Sequence, residues 1–212
     1  MYKTILKEEE ISNEIKKSIF KANISPVGSE VEAEDFIARI KDSNKEARHH
    51  CFAYIIGEDR LIQKYSDNGE PQGTAGLPIL DILKKKELTD ICVVVTRYFG
   101  GILLGASGLV RAYSQACNDV TSKAKMVFKK EFLDISLRID YNSLGKFLNY
   151  CEDEKLYIHK KDFLDLVYIG IYVPKSHYKS FSDVLMNLTS GKAVMEVKDE
   201  LLINTLGDEL FI

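Results

Sequence analysis

The chain has 212 residues and a formal net charge of −3, and 45% of it is hydrophobic, which excludes a disordered or low-complexity body. Its length exceeds the usual single domain of roughly 100–150 residues, so two domains are expected. Residues 1–128 hold 18 Lys plus Arg against 18 Asp plus Glu, and residues 129–212 hold 11 against 14; a broad phosphate-neutralising face is therefore excluded, and only a local cationic cluster can meet an anionic partner.

In chain order, Met1 to Glu14 mixes Lys with a Glu8-Glu9-Glu10 run and lacks the apolar core of a secretory signal. No later apolar stretch approaches the roughly 20 residues that span a bilayer, so a cytoplasmic location without a membrane partner is expected. Ile19 to Val27 reads as the first strand. Glu30 to Asp42 reads as a helix, with Ala33, Phe36, Ile37 and Ile40 at helical spacing behind a Ser29 cap. His50 to Ile56 and Leu61 to Tyr65 suit two strands turning at Gly57-Glu58-Asp59. Then comes the loop Ser66-Asp67-Asn68-Gly69-Glu70-Pro71-Gln72-Gly73, leading into a helix that Thr74 can cap and near whose start Pro78 must lie. Ile91 to Thr96 is an almost continuous β-branched run, the pattern of a central strand buried on both faces. A second glycine-rich segment, Arg97 to Gly108, opens the helix Leu109 to Lys123.

From Val127 a second pattern begins: strand Phe132 to Ile139, helix Asn142 to Glu152, strands Leu156 to Lys161 and Leu164 to Val173, helix Ser176 to Ser190, strand Ala193 to Leu202. That βαββαβ order is ferredoxin-like, with one antiparallel sheet and both helices on a single face. The expected fold class is α+β, with domains at 1–127 and 128–212.

Sites in α/β sheets form at strand ends, which draws attention to the two glycine-rich loops. Asp67, Glu70 and Thr74 stand in the first; Arg97, Tyr98, Gly100 and Gly101 open the second; Arg48 and His49 enter the adjacent strand, and Arg111 lies one turn after Ser107. These residues are expected to line one mixed-charge cleft, with the amides at Gly73 to Ala75 and Gly105 to Gly108 open to phosphate or a similar small anion. Asp67 and Glu70 can instead bind Mg²⁺ or, more readily, pair with the arginines, and the glycines can serve packing alone. On the anion-binding reading Arg97 is a surface donor whose removal leaves the melting temperature almost unchanged. Gly100, Gly105 and Ser107 have the spacing of a nucleotide-hydrolase phosphate loop, but Ala106 replaces its Lys. Cys51, Cys92, Cys117 and Cys151 are far apart, and the four His form no metal-ligand spacing, so no metal and no cofactor are expected. The second domain, with its polar residues scattered along helical faces, is expected to lack a comparable cleft. No DNA-specific signal is present.

Arg48 to Tyr54, Ser66 to Leu80, Val95 to Gly101 and Gly108 to Tyr113, in that order and spacing, resemble the blocks of the YigZ/IMPACT family. Two departures are Asn68, where an Asp is usual, and Ala106-Ser107, where Thr-Gly or Gly-Gly is usual. The resemblance implies a first domain similar to the second domain of a small-subunit ribosomal protein, a βαβ-type fold, and a second domain similar to the ferredoxin-like domains of elongation factor G. It thereby implies a translation-linked binding or regulatory protein whose partner is the ribosome, RNA or a translation factor. The alternative is an enzyme of hydrolase or peptidase type acting on a small anionic or peptide substrate, with His49 or Glu70 as acid/base.

Overall fold

The computed structural model describes all 212 residues, which divide into two compact units, Tyr2–Phe128 and Lys129–Ile212 together with Met1. The first contains β1 (Tyr2–Ile5), β2 (Glu9–Ile15), β3 (Ser18–Pro26), α1 (Glu30–Ser43), β4 (His49–Ile56), β5 (Ile62–Ser66), α2 (Gly76–Lys85), β6 (Ile91–Tyr98) and α3 (Ala106–Lys123). Its sheet runs β2-β3-β6-β4-β5, with every neighbouring pair antiparallel. The β-branched run is thus the middle strand, and alternation sends its side chains into two separate cores. Val93 and Val95 join Phe20, Ile24, Ile55, Ile79, Leu83, Leu109 and Tyr113 under α2 and α3. Cys92 and Val94 join Tyr54 and the Phe36, Ile37 and Ile40 stripe of α1 on the other face. The domain is a three-layer sandwich.

Two strands precede the expected first one. β2 escapes the hydrophobic pattern because two of its four inward positions are polar and find distant partners: Glu9 pairs with Lys123 at 3.3 Å, and Asn13 donates to Asp119 at 2.6 Å. β1 is anchored by Ile5 in the core and by Leu6 N–H donating to Lys125 O at 2.9 Å.

The second unit contains β7 (Met126–Ile139, its first residues still in the first unit), α4 (Tyr141–Asp153), β8 (Tyr157–Phe163), β9 (Val167–Pro174), a 3-10 turn (Lys175–His177), α5 (Tyr178–Leu188), β10 (Val194–Leu206) and a short β11 (Glu209–Phe211). Its strands lie in the order β11-β10-β7-β9-β8. Numbered within the βαββαβ unit, the first four strands are ordered 4-1-3-2, the split arrangement of the ferredoxin-like fold. Leu133, Ile135, Leu137, Ile169, Ile171 and Val173 share one sheet face and pack on Phe147 and Cys151 of α4 and Phe181 and Leu185 of α5. The expected architecture is present, and β11 is an addition, paired to β10 through a two-residue turn at Gly207-Asp208 with Gly207 at φ +62°. All four cysteines are free and buried.

Candidate functional site

Register places the site. Arg97, near the end of β6, lies between Phe20 of β3 and His49 of β4. Its side chain points toward the α2/α3 layer, where the guanidinium sits 5.6 Å from the Phe20 ring centre and 5.5 Å from that of Phe99. There Nη1 donates to Glu70 Oε1 at 2.8 Å, and Tyr113 Oη donates to the same oxygen at 2.9 Å. The Arg97 and Glu70 side chains are only 6% and 4% exposed, while Arg97 Nε is buried without a partner. Arg97 is therefore a structural ion-pair partner of Glu70 and no surface donor. Glu70 is held by two donors away from solvent.

Asp67 has a different task. Its Oδ1 accepts from Ala75 N–H at 3.0 Å and Gly76 N–H at 2.9 Å, and its Oδ2 accepts from Gly73 N–H at 2.8 Å. The carboxylate occupies the N-terminus of α2, where the helix dipole and unpaired amides favour a negative charge. The amides expected to receive an external anion at Gly73 to Ala75 already hold this internal one. Thr74, expected as the cap, instead donates its hydroxyl to Pro71 O at 2.6 Å and braces the loop. Asp67→Ala is expected to destabilise the first domain by about 2 kcal/mol or more, because three amides lose a charged acceptor at once; urea denaturation against wild type measures it.

Three further contacts close the loop onto β4. Asn68, at φ +41°, accepts His50 N–H on its Oδ1 at 2.7 Å, and its carbonyl lies 3.0 Å from His49 Nδ1. Cys51 donates its thiol to Asp67 O at 2.9 Å, and burial, ahead of its charged neighbours, pushes that thiol up to about 12, too high for a nucleophile. Asn68, Tyr113 and Phe20 were absent from the sequence-derived set. Tyr113 sits on the inner face of α3, and nothing local in the sequence signals that its hydroxyl reaches Glu70.

The remaining expected residues disperse. Tyr98 follows Arg97 and so faces the other side of the sheet, where its hydroxyl donates to Asn44 Oδ1 at 2.9 Å. Arg48 is exposed at the entry to β4. Arg111 is exposed on α3 and donates from Nε to Ser107 O at 3.2 Å. Gly100 is a point of close approach to the β2–β3 turn, Gly101 adopts φ +85°, and the flanking Phe99, Ile102 and Leu103 are 55%, 40% and 83% exposed. Helix α3 begins at Ala106 rather than Leu109, and its N-cap, Gly105 at φ +70°, provides no side-chain hydrogen bond. No group of three or more His, Cys, Asp or Glu is arranged to hold a metal, and no helix is long and apolar enough to cross a membrane.

The arrangement has counterparts. Residues 16–121 match the Impact N-terminal domain, and residues 137–192 match a domain of unknown function, DUF1949. The chain is 40% identical over 192 residues to the IMPACT family member YvyE of Bacillus subtilis, covering 91% of this chain and 88% of that protein. It is 32% identical to the IMPACT family member YigZ of Escherichia coli, covering 85% and 90% of the two chains. Protein IMPACT of Xenopus laevis matches over 95 residues at 33% identity, only 30% of its length. A crystal structure of a hypothetical protein aligns with a TM-score of 0.62 at 28% identity over 93% of this chain and 97% of that one. The match over nearly the whole length of bacterial relatives, with the Asp67 and Arg97 loops inside the matched N-terminal domain, makes this chain a member of the IMPACT family.

Proposed function

We propose that the chain is a cytosolic, translation-linked binding protein whose first domain meets an anionic surface on the ribosome, RNA or a translation factor. One observation carries the reading: the two acidic side chains of the loops are consumed inside the fold, Asp67 by amides and Glu70 by Arg97 and Tyr113. The cations this reading assigns to the contact are the exposed Arg48 at the start of β4 and Arg111 on the first turns of α3, a helix whose Gly105 N-cap carries no side chain. A few exposed arginines on a chain of net charge −3 suit a limited electrostatic contact rather than wrapping of nucleic acid. The enzymatic alternative retains only His49, since Glu70 is buried in its ion pair and no metal-holding cluster accompanies it.

Cosedimentation with purified ribosomes across a salt series tests the reading. Arg48→Glu with Arg111→Glu is expected to abolish binding at near-physiological salt without lowering the melting temperature, both side chains being exposed. Either substitution alone is expected to reduce the salt dependence by roughly one unit of log–log slope. Ribosome binding that the double variant leaves intact would remove these two arginines from the interface.

A further inference from the structure

Against the expectation that the second domain lacks a cleft, it holds two adjoining cavities of about 630 and 600 Å³. The larger lies between the sheet face turned away from the helices, represented by Phe132, Tyr157 and Tyr172, and the β10–β11 hairpin, represented by Thr205, Asp208 and Leu210. A 2.6 Å ion pair from Lys155 to Asp208 ties the hairpin turn to the start of β8. This is the size of a small-molecule site.

The aromatic wall is braced from behind. Tyr157 and Tyr172, opposite one another in the β8–β9 register, have rings 6.0 Å apart and within 6° of parallel. Tyr172 stacks in turn on His159 at 4.4 Å. A bulge in β8 falls at His159; its Nε2 lies 2.9 Å from Asp134 Oδ1, and its ring lies over Gly170, where a Cβ would come within 2.5 Å of it. The inner end of the stack is fixed, whereas Tyr157 at the outer end is 47% exposed and lines both cavities. Another flat π-system is the natural continuation of such a ladder.

Charge narrows the ligand further. Of the lysines lining the larger cavity, Lys155 is paired with Asp208 and Lys175 with Glu131 and Glu200. Lys130 is half-buried and takes part in no ion pair, with Ser176 and His177 lining the same cavity. A partly desolvated ammonium without a counter-ion attracts an anionic group. Glu154, the cavity carboxylate in no ion pair, suits the exocyclic amine of a base. We propose that this cavity binds a nucleoside phosphate, with the base extending the Tyr157–Tyr172 stack, the phosphate beside Lys130, and amino-bearing bases preferred over uracil.

The proposal stands on residues of the second unit alone, so it survives failure of the first-domain reading. The test is an NMR titration of the full chain with AMP, UMP, ribose 5-phosphate and a short oligoadenylate. AMP is expected to saturate, with shifts confined to the second domain, and to bind at least about fivefold more tightly than ribose 5-phosphate. UMP is expected to fall between them. Tyr157→Ala is expected to weaken AMP at least about fivefold, and Lys130→Gln should weaken AMP more than adenosine, each with unchanged melting. An oligoadenylate more than about tenfold tighter than AMP assigns the site to a strand end, and equal affinity assigns it to a free nucleotide; both support the chemistry. Equal affinity for AMP and ribose 5-phosphate, indifference to Tyr157→Ala, or no saturation by about 5 mM AMP overturns it.

Discussion

Glu70→Ala is expected to destabilise the first domain by about 3–5 kcal/mol, the cost of leaving one member of a buried ion pair without its partner. Arg97 remains charged because its guanidinium cannot lose a proton at neutral pH. It sits only 6% exposed between Phe20 and Phe99, with Nε already unpartnered. Tyr113 Oη loses its acceptor in the same stroke. For a unit of this size the melting temperature should fall by roughly 10–20 °C. Arg97→Ala should act similarly, in contrast to the near-silent change expected of a surface arginine. The triple variant Glu70→Leu, Arg97→Met, Tyr113→Phe should recover most of the loss, since it removes all three polar groups and their desolvation cost together. A Glu70→Ala protein within about 1 kcal/mol of wild type would show that the pair is hydrated and that Arg97 remains available to a ligand.

The contrast between Asp67 and Glu70 marks where sequence reading stops. Both acids precede a helix within one short loop, and pairing with Arg97 was open to either. Three-dimensional register decides: Phe20, Arg97 and His49 align across β3, β6 and β4, Glu70 closes over Arg97, and Asp67 turns to the amides of α2. The central strand was legible because Ile91 to Thr96 needs two apolar faces, and the βαββαβ order because its periodicity alternates cleanly. The separation of Arg97 from Tyr98 follows from strand alternation alone and contradicts grouping both in one cleft. By contrast β2 carries Glu9 and Asn13 on its inner side, and their partners Lys123 and Asp119 lie more than 100 residues away. No local pattern could disclose it. The second-domain cavities were hidden for a related reason: the three-residue β11 and the bulge at His159 are too short to leave a periodic signal, yet they form the hairpin wall and the braced stack.

Gly100 and Gly101 are adjacent in sequence and should respond very differently to the same substitution. At Gly101, φ is +85° and nothing lies within 4 Å of an added Cβ, so Gly101→Ala should cost only about 1 kcal/mol of left-handed backbone strain. At Gly100 the requirement is space: a Cβ would fall 1.8 Å from Lys17 O, 2.0 Å from Lys17 C and 2.6 Å from Ser18 N. Those atoms belong to the turn joining β2 and β3, where Lys16 and Lys17 hold φ values of +47° and +65° and leave little freedom to retreat. Gly100 N–H also donates to Ser18 Oγ at 3.2 Å. Gly100→Ala must therefore push the turn away from the end of β6, loosening Phe20 from Arg97, and should cost about 3 kcal/mol or more. Urea denaturation of the two alanine variants side by side measures the difference. If Gly101→Ala proves equal or worse, the glycine pair serves loop conformation rather than the close approach of the Lys17 turn. If Gly100→Ala is much the worse, the loop that carries Phe99, Ile102 and Leu103 is anchored at its first glycine and turned outward by its second.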